Sequence, residues 1–149
     1  MTEATTRVDD DGRLWVHSQV RVIYGDTDAM GVVYYGCYMR YLEIGRCEFM
    51  RARGLAYSQV EASGFLIPVA EVNVRYRSPA RYDDLIDVAT AIKEHGRASV
   101  HFTYLLTHAA DGRRIATGSS RHACITREGT VVRLPDELYQ LLLDASPPV

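Results

Sequence analysis

The chain has 149 residues, 47% hydrophobic and 24% charged, with a formal net charge of -2. That length suits one domain, which can bury roughly 70% of the surface its unfolded chain exposes. The charge balance excludes a global basic field that would gather nucleic acid, and no apolar run approaches the ~20 residues of a membrane helix.

Residues 1–13 are polar and acidic and lack a signal-peptide-like apolar segment, so they are predicted to be a frayed tail. A single domain is expected over 14–144. Leu14 to Tyr24 reads as a strand, with Val16, Ser18, Val20 and Val22 on one face. A polar turn follows, Tyr24-Gly25-Asp26-Thr27-Asp28-Ala29-Met30-Gly31-Val32-Val33-Tyr34-Tyr35. From about Tyr34 to Arg53 the spacing of Tyr34, Tyr38, Tyr41, Leu42, Gly45 and Phe49 is helical. Gly45 implies close approach to a neighbouring strand, and Gly54 is placed to stop the helix.

Tyr57 to Glu61 suggests a short second helix. Phe65 to Arg77 alternates as a strand with an irregular start at Pro68. Leu85 to Glu94, Ala98 to His108 and Arg114 to Arg127 complete a predicted succession of hairpins, with turns at His95-Gly96 and Asp111-Gly112. Pro135 to Leu143 is a predicted C-terminal helix and 146–149 a tail. One antiparallel sheet and one long apolar helix must bury each other, so the class is α+β, with the sheet curled around the helix. Its free edges would invite pairing with a second copy.

The turn before the long helix is where chemistry is expected. The first amides of a helix lack intrahelical acceptors and carry partial positive charge. They can hold a carbonyl oxygen while a carboxylate such as Asp28 attacks the carbonyl or deprotonates a water. Gly31 lets backbone approach a ligand. The same residues also read as plain turn formers and caps. Glu43 could act as a second acid or pair with Arg40 or Arg46. The histidines show no metal-ligand spacing. Cys37, Cys47 and Cys124 are odd in number with no CxxC spacing, which points to reduced thiols in a cytoplasmic protein, neither a disulfide frame nor a zinc site.

The turn motif with Gly31-Val32-Val33-Tyr34-Tyr35 and Tyr38 resembles the signature of hotdog-fold acyl-CoA thioesterases, the group of the 4-hydroxybenzoyl-CoA and Tol–Pal-associated thioesterases. The likeness continues at Glu43 and Arg46, at Asn73 with Tyr76, at Ala80 to Asp84, and at Ile92-Lys93-Glu94 with Arg97-Ala98-Ser99. The resemblance implies a hotdog fold, thioester hydrolysis without cofactor or metal, and homodimers that assemble into homotetramers. It implies Asp28 as catalytic carboxylate and the Tyr35 amide as carbonyl polariser. Gly31, Val33, Tyr34, Tyr38, Asn73 and Arg97 would line the substrate. The turn at Arg97 keeps one basic residue where the aromatic-thioester enzyme has a cluster. An acyl-carrier-protein thioester therefore stands beside acyl-CoA as substrate, and a non-catalytic acyl-binding role is the third reading.

Overall fold

The computed structural model describes residues 3–144, apart from the side chain of Leu143. The elements run β1 (Thr5–Val8), β2 (Leu14–Arg21), α1 (Tyr38–Ala52), α2 (Tyr57–Ala62), β3 (Phe65–Leu66), β4 (Val69–Tyr76), β5 (Leu85–His95), β6 (Ser99–His108), β7 (Arg114–Ala123), β8 (Ile125–Thr126) and α3 (Asp136–Asp144). Short 3-10 turns occupy Tyr24–Asp26 and Tyr35–Cys37, and the second runs directly into α1. Six strands form one antiparallel sheet in the order β1-β2-β5-β6-β7-β4, while β3 pairs with β8.

Alternation decides which side chains meet α1. Val16 and Val20 of β2, Ile86, Val88 and Ile92 of β5, and Phe102, Tyr104 and Leu106 of β6 are all buried. Tyr41, Leu42, Phe49 and Met50 of α1 are buried too, and the helix packs on β2 and β5. Each such side chain contributes about 1.5–3 kcal/mol relative to leaving it in water. Gly45 sets the closeness of this packing. A Cβ there would stand 2.4 Å from Thr90 Oγ1 and 2.9 Å from Val88 Cγ1.

The C-terminal end of α1 closes as a Schellman motif. Gly54, at φ +85°, donates its amide to Arg51 O (2.9 Å), and Leu55 donates to Met50 O (3.0 Å). The sequence places this stop correctly because only glycine takes the left-handed region without strain.

Three expectations change. The segment predicted to be a frayed tail contains β1, an edge strand on β2. A turn built on Asp9 holds it there: the carboxylate accepts from the Asp11 and Arg13 amides and from Trp15 Nε1. Next, β4 and β5 are not a hairpin, since β6 and β7 lie between them and β4 forms the far edge on β7. Finally, the strands predicted over 65–77 and 114–127 break at Ile67-Pro68 and at Cys124. Proline removes a ladder donor at the first break. The predicted 146–149 tail lies outside the described residues. Strand β4 is exposed along most of its length, including Val69, Val72 and Tyr76.

Candidate active site

The segment between β2 and α1 is a tight, hydrogen-bonded loop. Thr27 and Val33 form an isolated antiparallel bridge. Asp28 donates its amide to Val32 O (3.0 Å) and accepts the Gly31 amide on its carbonyl (2.9 Å). Gly31 sits at φ +76°, a conformation that favours glycine. The loop docks on the β4–β5 connection through Val33 N to Ala80 O, 2.8 Å.

Two aspartates within this loop have opposite surroundings. Asp26 is 4% exposed. Its carboxylate accepts from Arg40 Nη2 at 2.7 Å, from the Tyr41 hydroxyl at 2.8 Å and from the Ile23 amide at 3.2 Å. Burial acts to raise its pKa, but the Tyr41 and Arg40 hydrogen bonds outweigh it, and the carboxyl titrates below the usual range. Burial and the Asp26 charge push the Tyr41 phenol well up. Arg40 also lies over the Tyr41 ring at 5.2 Å. This cluster ties the loop to the first turn of α1.

Asp28 is half-buried. One carboxylate oxygen, Oδ1, accepts the Met30 amide at 2.9 Å. Among the described residues no group donates to Oδ2. The carboxylate is thus aimed by one bond and open on its other side. Its charge reaches the Tyr34 phenol, whose pKa is raised, first by the hydrogen bond to Tyr35 and more weakly by Asp28.

The helix entry supplies donors. Tyr34 N is occupied by Asp26 O (2.8 Å) and Cys37 N by Tyr34 O (2.9 Å). Among the described residues the amides of Tyr35 and Gly36 donate to no backbone acceptor. They are the first free donors at the positive end of the 3-10 turn and α1. Around them stand exposed aromatic rings. Tyr34 and Tyr35 have centroids 4.6 Å apart, and Tyr76 donates its hydroxyl to Tyr35 O at 2.9 Å. Tyr38 is buried between Tyr41 (5.6 Å) and Tyr76 (5.1 Å).

The structure therefore brings Asp28, Gly31, Val33, Tyr34, Tyr35 and Tyr38 into one loop and helix start. Two other candidates lie elsewhere in the protomer. Asn73 alternates with Val74 and Tyr76, which face α1, so it points to the opposite side of the sheet. Arg97 lies at the β5–β6 turn, while the loop docks beside the start of β5. The length of β5 separates the two by about 30 Å. Glu43 is exposed and forms no ion pair among the described residues. No described group of three or more His, Cys, Asp or Glu side chains could hold a metal ion, and no described helix is long and apolar enough to cross a membrane.

One polar array escapes the sequence. Arg46 Nη1 donates to the Tyr104 hydroxyl (3.3 Å), Tyr104 meets Ser120 Oγ (2.5 Å), and Ser120 meets His122 Nε2 (2.8 Å). His122 Nδ1 reaches Ile67 O at 3.2 Å. A carbonyl only accepts, so Nδ1 carries the proton and Nε2 accepts from Ser120. Tyr104 must then donate to Ser120, so the Tyr104 and Ser120 hydroxyls and both His122 nitrogens are paired. Burial drives the His122 pKa down to about 4, so the ring is neutral. Residues from α1, β6 and β7 build the array, and their sequence separations give no local signal.

A curled antiparallel sheet around one central helix, with a carboxylate loop at the helix entry, defines a hotdog-fold protein. The chain belongs to the Thioesterase-like superfamily, whose family model matches residues 22–142. It is 31% identical to a putative acyl-CoA thioesterase of Bacillus subtilis over 74% of this chain and 79% of that one. It is 36% identical to the acyl-CoA thioester hydrolase YbgC of Escherichia coli over 60% of this chain and 67% of that one. A crystal structure of a hypothetical protein from Thermus thermophilus superposes with a TM-score of 0.83 at 32% identity, covering 89% and 98% of the two chains.

Proposed function

We propose that this protein hydrolyses acyl-CoA thioesters, with Asp28 as its catalytic carboxylate. The observation that carries the reading is the pairing of a carboxylate with one open oxygen and two free amides at the helix entry. The Tyr35 amide, with that of Gly36 beside it, polarises the thioester carbonyl oxygen. Asp28 takes a proton from a water. The hydroxide adds to the carbonyl carbon, the C–S bond breaks, and the proton passes to the leaving thiolate. Direct attack by Asp28, through a mixed anhydride that water then opens, is the covalent variant of the same step. Gly31, Val33, Tyr34 and Tyr38 surround the reacting group. The family membership and the names of its relatives support the substrate class.

An acyl-carrier-protein thioester is the second reading. It is favoured by the position of Arg97, far from Asp28 in the protomer and with glycine and alanine as neighbours. Two copies pair along the exposed β4 edge into a homodimer, and dimers assemble into a homotetramer; light scattering tests that order. A thiol-release assay across short, long and aromatic acyl-CoAs tests the reaction. Turnover in the wild type with loss in Asp28→Asn is expected. Full activity of the variant refutes the assignment, and turnover of carrier-protein thioesters alone selects the second reading.

A further inference from the structure

A set of arginines surrounds the connection between β4 and β5, at the end of β5 opposite Arg97. Arg77 follows β4, and Arg81 follows Ala80, whose carbonyl holds Val33 N. Arg113 and Arg114 come from the β6–β7 turn and meet the same segment. Arg77 N donates to Ile115 O at 2.8 Å, and Ser78 Oγ donates to Arg114 O at 2.5 Å. Arg113 Nη1 donates to Ser78 Oγ at 2.8 Å and to Pro79 O at 2.9 Å. The charge of this corner reaches the helix entry: burial raises the Tyr38 pKa, while the Ala80 backbone and the Arg113 charge act the other way.

The four arginines differ in what they have left to offer. Arg113 is spent on Ser78, Pro79 and, at 3.9 Å, Asp111. Two nearby carboxylates are spent as well, since Asp84 and Asp111 face His108 at 3.3 and 3.5 Å. Asp83 is exposed, so water and salt screen it. Arg77, Arg81 and Arg114 are exposed, and among the described residues their side chains form no ion pair and donate no hydrogen bond. Three such cations side by side, in a chain of net charge -2, make a local field that attracts an anion. Guanidinium forks match phosphate oxygens with paired donors.

A pantetheine thioester has its phosphate at a fixed remove from the carbonyl. Sulfur and phosphorus are separated by about thirteen bonds, or ~15 Å at the spacing of an extended peptide. Val33 lies two residues before Tyr35 and is bonded to Ala80, the neighbour of Arg81. Chain geometry therefore keeps the Tyr35 and Arg81 Cα atoms within about 14 Å. Only Arg77 adjoins the β4 edge given to a second copy; Arg81 lies on the β4–β5 connection and Arg114 on β7.

We propose that Arg77, Arg81 and Arg114 bind the phosphate of the substrate's phosphopantetheine arm, on the segment that Arg113 holds in place. The inference rests on the thioester reading of Asp28. The same phosphate chemistry is offered by CoA and by a carrier protein.

The test is calorimetric titration of the full chain with CoA, 4′-phosphopantetheine and pantetheine, which needs no turnover. The phosphorylated probes are expected to bind at least tenfold tighter than pantetheine. Arg81→Gln combined with Arg114→Gln is expected to weaken them at least tenfold and leave pantetheine unchanged, while lysine at both positions recovers part of the binding. In thiol-release assays the same glutamine pair is expected to raise KM at least tenfold. An acyl-CoA and the matching carrier-protein thioester, assayed side by side, identify the source by which KM rises. Selective binding of the phosphorylated probes without turnover of any thioester refutes the hydrolytic reading and upholds the phosphate site. Equal binding of all three probes overturns the proposal. So do unchanged CoA binding in the glutamine pair, equal weakening of pantetheine in it, and no saturable binding of any probe.

Discussion

The two ends of α1 are built on opposite rules. At the C-terminal end the Gly54 and Leu55 amides return to the Arg51 and Met50 carbonyls, and the nearby His122 array closes on Ile67 O. At the N-terminal end demands are left open: among the described residues the Tyr35 and Gly36 amides have no acceptor, and Asp28 keeps one oxygen unbound. The open end still stands on a satisfied base, because Asp26 draws four hydrogen bonds two residues before Asp28. Unsatisfied polar groups persist where neighbouring groups are over-determined, and the role proposed for Asp28 rests on that contrast.

The sharpest way to break the contrast is Asp28→Asn. The amide keeps an oxygen for the Met30 N–H, so fold is expected to survive. Thiol release is expected to fall on the order of 10²–10⁴-fold. Removing the base of the open end does the reverse. Asp26→Asn leaves Arg40 and the buried Tyr41 hydroxyl without their anion and is expected to cost about 3 kcal/mol in denaturant unfolding.

The closed end is probed by pH. His122 titrates at about 4 in the folded chain against an ordinary 6.5. Between those values the unfolded chain takes up a proton that the folded chain does not. Its contribution is full above pH 6.5, is lost as pH falls, and levels off below about 4. The total is about 3 kcal/mol. Guanidinium melts from pH 7.5 to 4 are expected to show a shallower decline in His122→Gln than in the wild type.

Smaller effects come from the glycines. Gly45→Ala drives a methyl into Thr90 Oγ1 and Val88, for an expected net loss of about 1–2 kcal/mol after the gain in helix propensity. Gly54→Ala meets no steric contact but must hold φ +85°, at about 1 kcal/mol. Thermal unfolding ranks the two.

Much of this was legible in the sequence because it is local. Val16 to Val20 and Phe102 to Leu106 alternate, Tyr38 to Phe49 repeats at helical spacing, and Gly54 stops the helix. The division of labour between Asp26 and Asp28 was not local, since it depends on Arg40 and Tyr41 turning back from α1; there the resemblance did the separating. Strand β1 stayed hidden because Thr5-Thr6-Arg7-Val8 is too polar to stand out. The crossing from β4 to β5 stayed hidden because strand order is set by distant pairing. The Arg46–Tyr104–Ser120–His122 array joins residues up to 76 positions apart, which no window along the chain contains.

The pairing of β2 with β5 has a kinetic consequence. Ser18 and Val88 meet across 70 residues. The loop between them must close before β2 can cover α1, and closing it costs chain entropy that later contacts repay. Long-range strand docking is therefore expected to limit folding, on the order of milliseconds to seconds. The single tryptophan, Trp15, stands opposite Ala91 in that pairing, so its fluorescence is a built-in clock for the step.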